Sequence, residues 1–282
     1  MLKPIKKIFR YTIIFTRRQI KFIFKKIFNS VHPTYKAKSN DRVRFKDIFY
    51  HHQQNVSDKW INYFDVYDNC LGRYVGLHPK ILEIGVQNGG SLQIFNKYLQ
   101  NADIYGVDID PNIANLTLEN NIHIYNFDIT DGQAIAKNFK KIKFDVIIDD
   151  GSHINSEIVK TFKLLFYKLK PGGVFLIEDL HTSYWKSHGG SYLGTDSAIE
   201  FFKKFADLLN FYHIDDNLFL NNLSESEKYI FKWLQSISFY DSMVVVQKLI
   251  SPRKKHYRRV IVGNIEPVVP VIKIAKQEGW YH

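Results

Sequence analysis

Lys80-Ile-Leu-Glu-Ile-Gly-Val-Gln-Asn-Gly-Gly-Ser91 is the stretch on which the fold turns. A short apolar run closes on Gly85, two more glycines follow at 89 and 90, and helical periodicity then runs from Ser91 to Leu99. That is the pattern of a buried strand, a tight turn and a helix. The same alternation repeats downstream. Ile104–Asp108, Ile122–Phe127, Phe144–Ile148 and Val174–Ile177 read as further strands. An amphipathic helix carrying Ile158, Phe162, Leu165 and Leu169 is expected to close at Pro171-Gly172-Gly173, and Ile237–Tyr240 with Met243–Lys248 read as an antiparallel pair, with Val260–Val262 a candidate third strand. Near-continuous apolar strands alternating with helices predict an α/β fold whose mostly parallel sheet is covered on both faces. In such sheets ligands bind beyond the carboxyl ends of the strands, where the strand order reverses.

The acids fall at those ends. Asp108 closes the second strand, Asp128 follows the third, Asp149-Asp150 the fourth and Glu178-Asp179 the fifth. The glycine turn Glu83-Ile-Gly85-Val-Gln-Asn-Gly89-Gly90-Ser91 lets backbone approach a ligand closely and opens a helix whose first N–H groups are free. It is not a dinucleotide fingerprint, because Gln87 stands where the second glycine would be. Asp108, 23 residues after Gly85, can accept ribose hydroxyls, and Asp128 can reach an adenine amine. Plainer readings stand beside these: Gly85 as a turn glycine, Asp149-Asp150 or Ser152 as helix N-caps, Glu178-Asp179 as a solvated loop pair.

Charge divides the chain in two. Residues 1–40 hold eleven of the 39 Lys and Arg and no acid, leaving 28 cations against 28 acids in residues 41–282. A neutral body argues against a groove that tracks nucleic-acid phosphates. Within residues 2–28 every cation except Lys26 falls inside about 120° of a helical wheel, and the uncharged stretch Tyr11–Thr16 is only six residues. Spanning a bilayer takes roughly 20 apolar residues. The arm is expected to be a basic amphipathic helix lying on the anionic inner face of a membrane, or docking its apolar stripe on its own domain or on a partner. His32-Pro33 and Lys36–Asn40 read as its linker. The division is therefore an arm over 1–40 and a folded domain over 41–282. One cysteine, Cys70, excludes a disulfide framework and fits a cytoplasmic protein.

The ordered set Glu83/Gly85, Asp108, Asp128 and Asp149-Asp150 resembles the class I S-adenosylmethionine-dependent methyltransferases over roughly residues 55–250. The resemblance implies their seven-stranded, Rossmann-like sheet. Ser57-Asp58-Lys59-Trp60, Asp149-Asp150-Gly151-Ser152-His153, Ile177-Glu178-Asp179-Leu180 with Tyr184-Trp185, and Phe239-Tyr240-Asp241-Ser242 are similar to the metal-dependent macrolide-sugar O-methyltransferases and to bacterial polysaccharide methyltransferases. It implies S-adenosylmethionine held by Lys59, Glu83, Gly85, Gly89, Ser91, Asp108, Asp128 and Asp149. Asp150, Glu178 and Asp179 are implied as ligands of Mg²⁺. Three carboxylates on neighbouring strands would repel one another without a cation, and hard oxygen donors suit magnesium.

His153, three residues after Asp150, is then the expected general base for a sugar hydroxyl. The acceptor would be a glycan, a nucleotide sugar or a surface-polysaccharide precursor. Alternatives are a catechol or macrolide-type metabolite as acceptor, or a membrane-associated scaffold that binds the cofactor without catalysis. Lys59 could meet the methionyl carboxylate or start a surface helix. Tyr63 and Tyr67, one turn apart, read as site or core. The segment 180–194 with Tyr184 and Trp185 reads as an acceptor lid or as ordinary packing, and the helices within 200–235 as an acceptor wall or the contact of a homo-oligomer.

Overall fold

The structure is a computed structural model that describes residues 43–214, 223–254 and 257. The arm over 2–28, its linker and the candidate strand Val260–Val262 lie outside the described residues. The unit that begins at Phe45 runs α1 (Phe45–Tyr50), α2 (Tyr63–Leu71), β1 (Lys80–Ile84), α3 (Gly90–Leu99), β2 (Asp103–Asp108), β3 (Ile122–Asn126), α4 (Gly132–Asn138), β4 (Phe144–Asp149), α5 (Asn155–Leu165) and β5 (Leu169–Ile177). It continues through α6 (Ala198–Lys203), α7 (Phe205–Leu209), α8 (Glu225–Trp233), β6 (Leu234–Tyr240) and β7 (Met243–Lys248). The sheet has seven strands in the order β3-β2-β1-β4-β5-β7-β6. Only β7 runs against its neighbours, β5 and β6. Among the described residues no helix is long and apolar enough to cross a membrane.

Successive residues of each strand feed opposite cores, as the pleat requires. Ile147 packs with Phe162, Phe175 and Phe202 on one face. Its neighbours Val146 and Ile148 pack with Tyr67, Phe95 and Leu176 on the other. The order reverses between β1 and β4, so the strand-tip acids converge there. Asp149 pairs in register with Ile84 on one side and Ile177 on the other.

Two expectations are corrected. The helix before β5 stops at Leu165, and Leu169 belongs to the sheet, opposite Phe144. Leu169 lies four residues after Leu165 and so keeps the helical phase, but Lys168 N–H already turns back to Leu165 O and Phe144 N–H bonds Lys168 O. Pro171-Gly172-Gly173 loops out of register inside β5 instead of closing the helix. Nor do Asp149, Asp150 or Ser152 cap α5, whose N-cap is Ile154 with no side-chain bond.

Beyond the end of α5 a buried cation does the capping. Lys248 Nζ donates to Phe166 O at 2.9 Å, Leu169 O at 2.8 Å and Tyr229 Oη at 3.1 Å. It lies about 5 Å from the rings of Phe166, Tyr229 and Trp233. Burial, with Lys143 adding to it, pushes the ammonium down to about 8. The unfolded chain, with its ordinary lysine near 10.4, then holds this proton more tightly than the folded one, so the group's contribution to stability rises with pH across that window. Urea unfolding of wild type and Lys248→Met is expected to show a stability gap that widens in favour of wild type from about pH 7.5 to about pH 10.

Candidate functional site

The site gathers at the carboxyl ends of β1, β4 and β5. Gly85 leaves β1 at φ +87°, and a Cβ there would stand 2.0 Å from the carbonyl oxygen of Asp150. Only glycine lets the β1 and β4 tips close to that distance. Gly90 opens α3 beneath the segment 55–56, where a Cβ would meet Val56 O at 2.1 Å. Asn55 staples that segment down, donating through Nδ2 to Asn88 O and through its N–H to Gln93 Oε1. The staple carries Ser57-Asp58-Lys59 over the cleft.

Lys59 does not stay on the surface. Its side chain is 3 % exposed, and Nζ lies 2.5 Å from Asp150 Oδ2, 2.9 Å from Glu178 Oε2 and 3.6 Å from Glu83 Oε1. Burial alone would lower this ammonium, but Glu178, Tyr67, Asp150 and Glu83 together hold it well above the ordinary lysine range. The repulsion among strand-tip carboxylates is thus relieved in part by the chain's own cation. Glu178 is fully buried and accepts on both oxygens, from Lys59 and from Tyr67 Oη at 2.5 Å. Glu83 accepts from Ser91 Oγ at 2.8 Å on Oε2 and has no hydrogen-bond partner on Oε1. Burial pushes it up to about 7 against the pull of Lys59. Burial likewise raises Asp149 to about 7, and its Oδ2 is also without a partner.

Asp150, His153 and Asp179 stand further out, each side chain about a quarter exposed. His153 Nε2 lies 3.7 Å from Asp150 Oδ1 and 3.7 Å from Asp179 Oδ2. These three donor atoms all fall within 4.8 Å of one another, close enough to share one metal ion. The second oxygen of each acid is already held: Asp150 Oδ2 by Lys59, and Asp179 Oδ1 by Trp60 Nε1 at 3.0 Å and Tyr63 Oη at 2.8 Å. Gln87, His153, Asp179 and Ser242 all have left-handed backbone, between φ +50° and +63°. Non-glycine residues in that region are sparse and cluster where function over-determines the backbone. Here Thr182 Oγ1 ties down His153 O, while Ser242 O receives Tyr63 Oη and Leu180 N–H.

Beside this cluster two pockets meet. One, of about 270 Å³, has mostly apolar walls from Ile84, Val107, Ile109, Phe127, Ile129 and Ile158, with Asp128, Asp149 and Glu157 also in its lining. The other, of about 450 Å³, is polar and takes in Ser57, Asp58, Lys59, Gln87, Asn88, Ser91, Asp150 and His153. Gly85, Asp108 and Gly151 line both. Asp108 accepts Val86 and Gln87 N–H on Oδ2 and Asp110 N–H on Oδ1. A carboxylate offers about four acceptor positions, so Asp108 fixes the glycine turn and keeps room for about one ligand hydroxyl. Among the described residues, the Asp128 side chain accepts only Thr130 N–H, on Oδ1. Gly89 has left-handed backbone at φ +79° before α3, against Leu118. It lines neither pocket.

Residues 82–180 match the sequence family described as "Methyltransferase domain". Among curated proteins the chain is similar to the 8-demethyl-8-alpha-L-rhamnosyl tetracenomycin-C 2'-O-methyltransferase of Streptomyces olivaceus, 33 % identical over 165 residues, 55 % of this chain and 43 % of that protein. It is similar also to the mycinamicin VI 2''-O-methyltransferase of Micromonospora griseorubida, 35 % identical over 133 residues, 44 % of this chain and 33 % of that protein. The matched stretch spans less than half the length of either relative. Among solved structures, MycE methyltransferase from the mycinamycin pathway, in complex with Mg and SAH, superposes with a TM-score of 0.65 at 24 % identity, covering 74 % of this chain and 55 % of that one. The seven-stranded unit described above and MycE share a fold.

Sequence reasoning about this domain overlooked Lys59 as the counter-ion of three acids, and Trp60, Tyr63 and Tyr67 as the groups that hold Asp179 and Glu178. The signal was present in part: two phenols one helical turn apart, directly after Ser57-Asp58-Lys59-Trp60. Removing the cation should leave Glu83, Asp150 and Glu178 uncompensated. Lys59→Met is expected to lose about 3–5 kcal/mol of stability, the usual consequence of breaking a buried ion pair from one side. Adding Glu178→Gln to that variant should recover part of the loss in urea unfolding. An unchanged midpoint in Lys59→Met would mean that these carboxyls fold protonated.

Proposed function

We propose that this protein is an S-adenosylmethionine-dependent, metal-assisted O-methyltransferase whose acceptor is a sugar hydroxyl. The observation that carries the reading is the pair of pockets meeting at Gly85, Asp108 and Gly151. An apolar slot with an acid in its lining suits a purine, a carboxylate at the junction suits a ribose hydroxyl, and a polar chamber suits an amino-acid tail. That chamber opens on the Asp150/His153/Asp179 cluster, where a reacting hydroxyl would lie. The relatives reported above are O-methyltransferases, one of them of a rhamnosyl tetracenomycin, and they support the acceptor class.

The donor set fits a hard divalent cation. Asp150 Oδ1 and Asp179 Oδ2 face the same point and are the oxygens not engaged by Lys59, Trp60 or Tyr63. Glu178 can join them only if Lys59 yields its Oε2. When bound, the sulfonium supplies an activated methyl group and the cation makes a coordinated hydroxyl more acidic. The chain's part is alignment and proton removal. His153 Nε2 takes the proton from the acceptor hydroxyl as that oxygen forms its bond to the methyl carbon and the carbon–sulfur bond breaks. Thr182 fixes the backbone of the imidazole, and Asp128, Asp108 and the turn at Gly85 orient the donor. Asp149, buried with an unpartnered oxygen against the apolar pocket, is the further acid on the cofactor side.

Calorimetric titration of S-adenosylmethionine into the full chain should give binding that Asp128→Ala weakens about tenfold or more, a loss of ~1.4 kcal/mol. Absence of binding with and without Mg²⁺ would remove the reading altogether. His153→Ala should lower turnover of a sugar acceptor by about 10²–10⁴-fold, with the affinity for S-adenosylmethionine unchanged. A variant that kept full turnover would transfer the role of base elsewhere.

A further inference from the structure

Trp60 stands just before α2 with 56 % of its surface exposed. Its one polar atom is used inward, Nε1 donating to Asp179 Oδ1 at 3.0 Å. The other oxygen of that carboxylate faces His153. The indole is thus pinned at the lip of the reacting centre while its large apolar surface remains open to solvent, where burying it would be favourable. It does not stand alone. The His181 ring meets it edge-on at 5.9 Å and 82°, and Trp185, 49 % exposed, meets His181 at 4.7 Å and 67°.

Trp60 and His181 are each fixed from behind. His181 Nδ1 and Ser242 Oγ are 2.5 Å apart, and Asn62 Nδ2 donates to Asp241 O, tying the β6–β7 turn to the start of α2. His181, Ser242 and Asp179 do not form a nucleophile triad. The same nitrogen, Nδ1, faces both Ser242 Oγ and Asp179 Oδ1, the latter at 4.0 Å, whereas a relay needs one ring nitrogen for each partner. Their contribution is rigidity: an aromatic surface held in place before a ligand arrives costs little further ordering when it binds.

We infer that Trp60, backed by His181 and Trp185, is the acceptor's stacking subsite, and that its ligand is a pyranose ring seated with its C–H face on the indole. The inference rests on the reading as a sugar O-methyltransferase and adds the residue that holds the sugar. A pyranose has an apolar face of C–H bonds and a rim of hydroxyls. The first matches the open indole, and the second matches the carboxylate, imidazole and hydroxyl groups at its edge. A planar phenol would draw its stacking energy from a slot closed on both faces, whereas this surface is open on one side. The pinned N–H sets the distance: a sugar lying on Trp60 brings its edge toward Asp179 Oδ2 and His153 Nε2, where a hydroxyl has to be for its proton to leave.

Saturation-transfer NMR with methyl α-L-rhamnopyranoside as the probe tests this on the full chain in the presence of S-adenosylhomocysteine. The ring C–H protons of one face should receive most saturation. Trp60→Leu should weaken the saccharide about tenfold, Trp60→Phe, which keeps an aromatic face, by less than about threefold, and Trp185→Leu by an intermediate amount. The affinity for S-adenosylhomocysteine, measured by calorimetry on the same samples, should be equal in all four proteins, which also reports that each is folded. Saccharide binding that survives Trp60→Leu unchanged overturns the subsite, as does the absence of saccharide contacts in wild type. So does catechol, offered in its place, saturating where the rhamnoside does not. If S-adenosylhomocysteine binds while the saccharide arm fails, only the subsite falls. If S-adenosylhomocysteine itself does not bind wild type, the methyltransferase reading fails and the subsite with it.

Discussion

One ammonium group, Lys59 Nζ, makes it possible for three acids to stand at adjacent strand tips. Strands neighbour one another at about 4.8 Å, so carboxylates at the ends of β1, β4 and β5 are forced to within a few ångströms in a medium from which water is largely excluded. At that range like charges push protons back onto one another. Lys59 comes from outside the sheet, in a segment fastened to the start of α3 by Asn55 and by the missing side chain of Gly90. It therefore acts as a bolt between the covering segment and the sheet. Glu178 and Asp150 both turn an oxygen to that cation, and its pull opposes the burial that raises Glu83.

The outer acids obey a different rule. Asp150 and Asp179 each give one oxygen to the protein and turn the other toward His153. Such an arrangement is electrostatically unfinished, which is the state expected of a site that completes itself with a ligand. Backbone strain points to the same place. Left-handed residues at His153, Asp179 and Ser242 come from three separate loops and meet within one cluster, and each is held there by hydrogen bonds from its neighbours rather than by its own preference.

Much of this was legible beforehand, and the boundary between what was and was not has a physical cause. Strands β1 to β5 and the acids that close them could be read because apolar runs and their terminal polar residues are local signals. Leu169 was misassigned because its spacing from Leu165 satisfies a helix as well as it satisfies a strand start, and only the pairing with Phe144 decides between them. Lys59 could be seen as a charge near the site but not as the partner of acids 91 and 119 residues away, since no periodicity links them. Tyr63 and Tyr67 posed the choice of core or site, and the structure gives both at once: their rings are buried while their hydroxyls reach Asp179 and Glu178.

The β6–β7 hairpin has a consequence in time as well as in space. β7 lies between β5 and β6, although it is made after both, and its turn supplies the Ser242 carbonyl that receives Leu180 N–H and Tyr63 Oη. A ribosome delivering this chain from the N-terminus releases the strands that bear the acids well before the strand that locks them. Until residue 248 emerges, β5 is an unpaired edge, and Asp179 lacks the loop that holds it in left-handed backbone. Pairings of such long sequence separation form slowly. The nascent chain thus passes through an interval in which the cleft wall at the tips of β1, β2 and β4 is built and the wall around Asp179 and Ser242 is not.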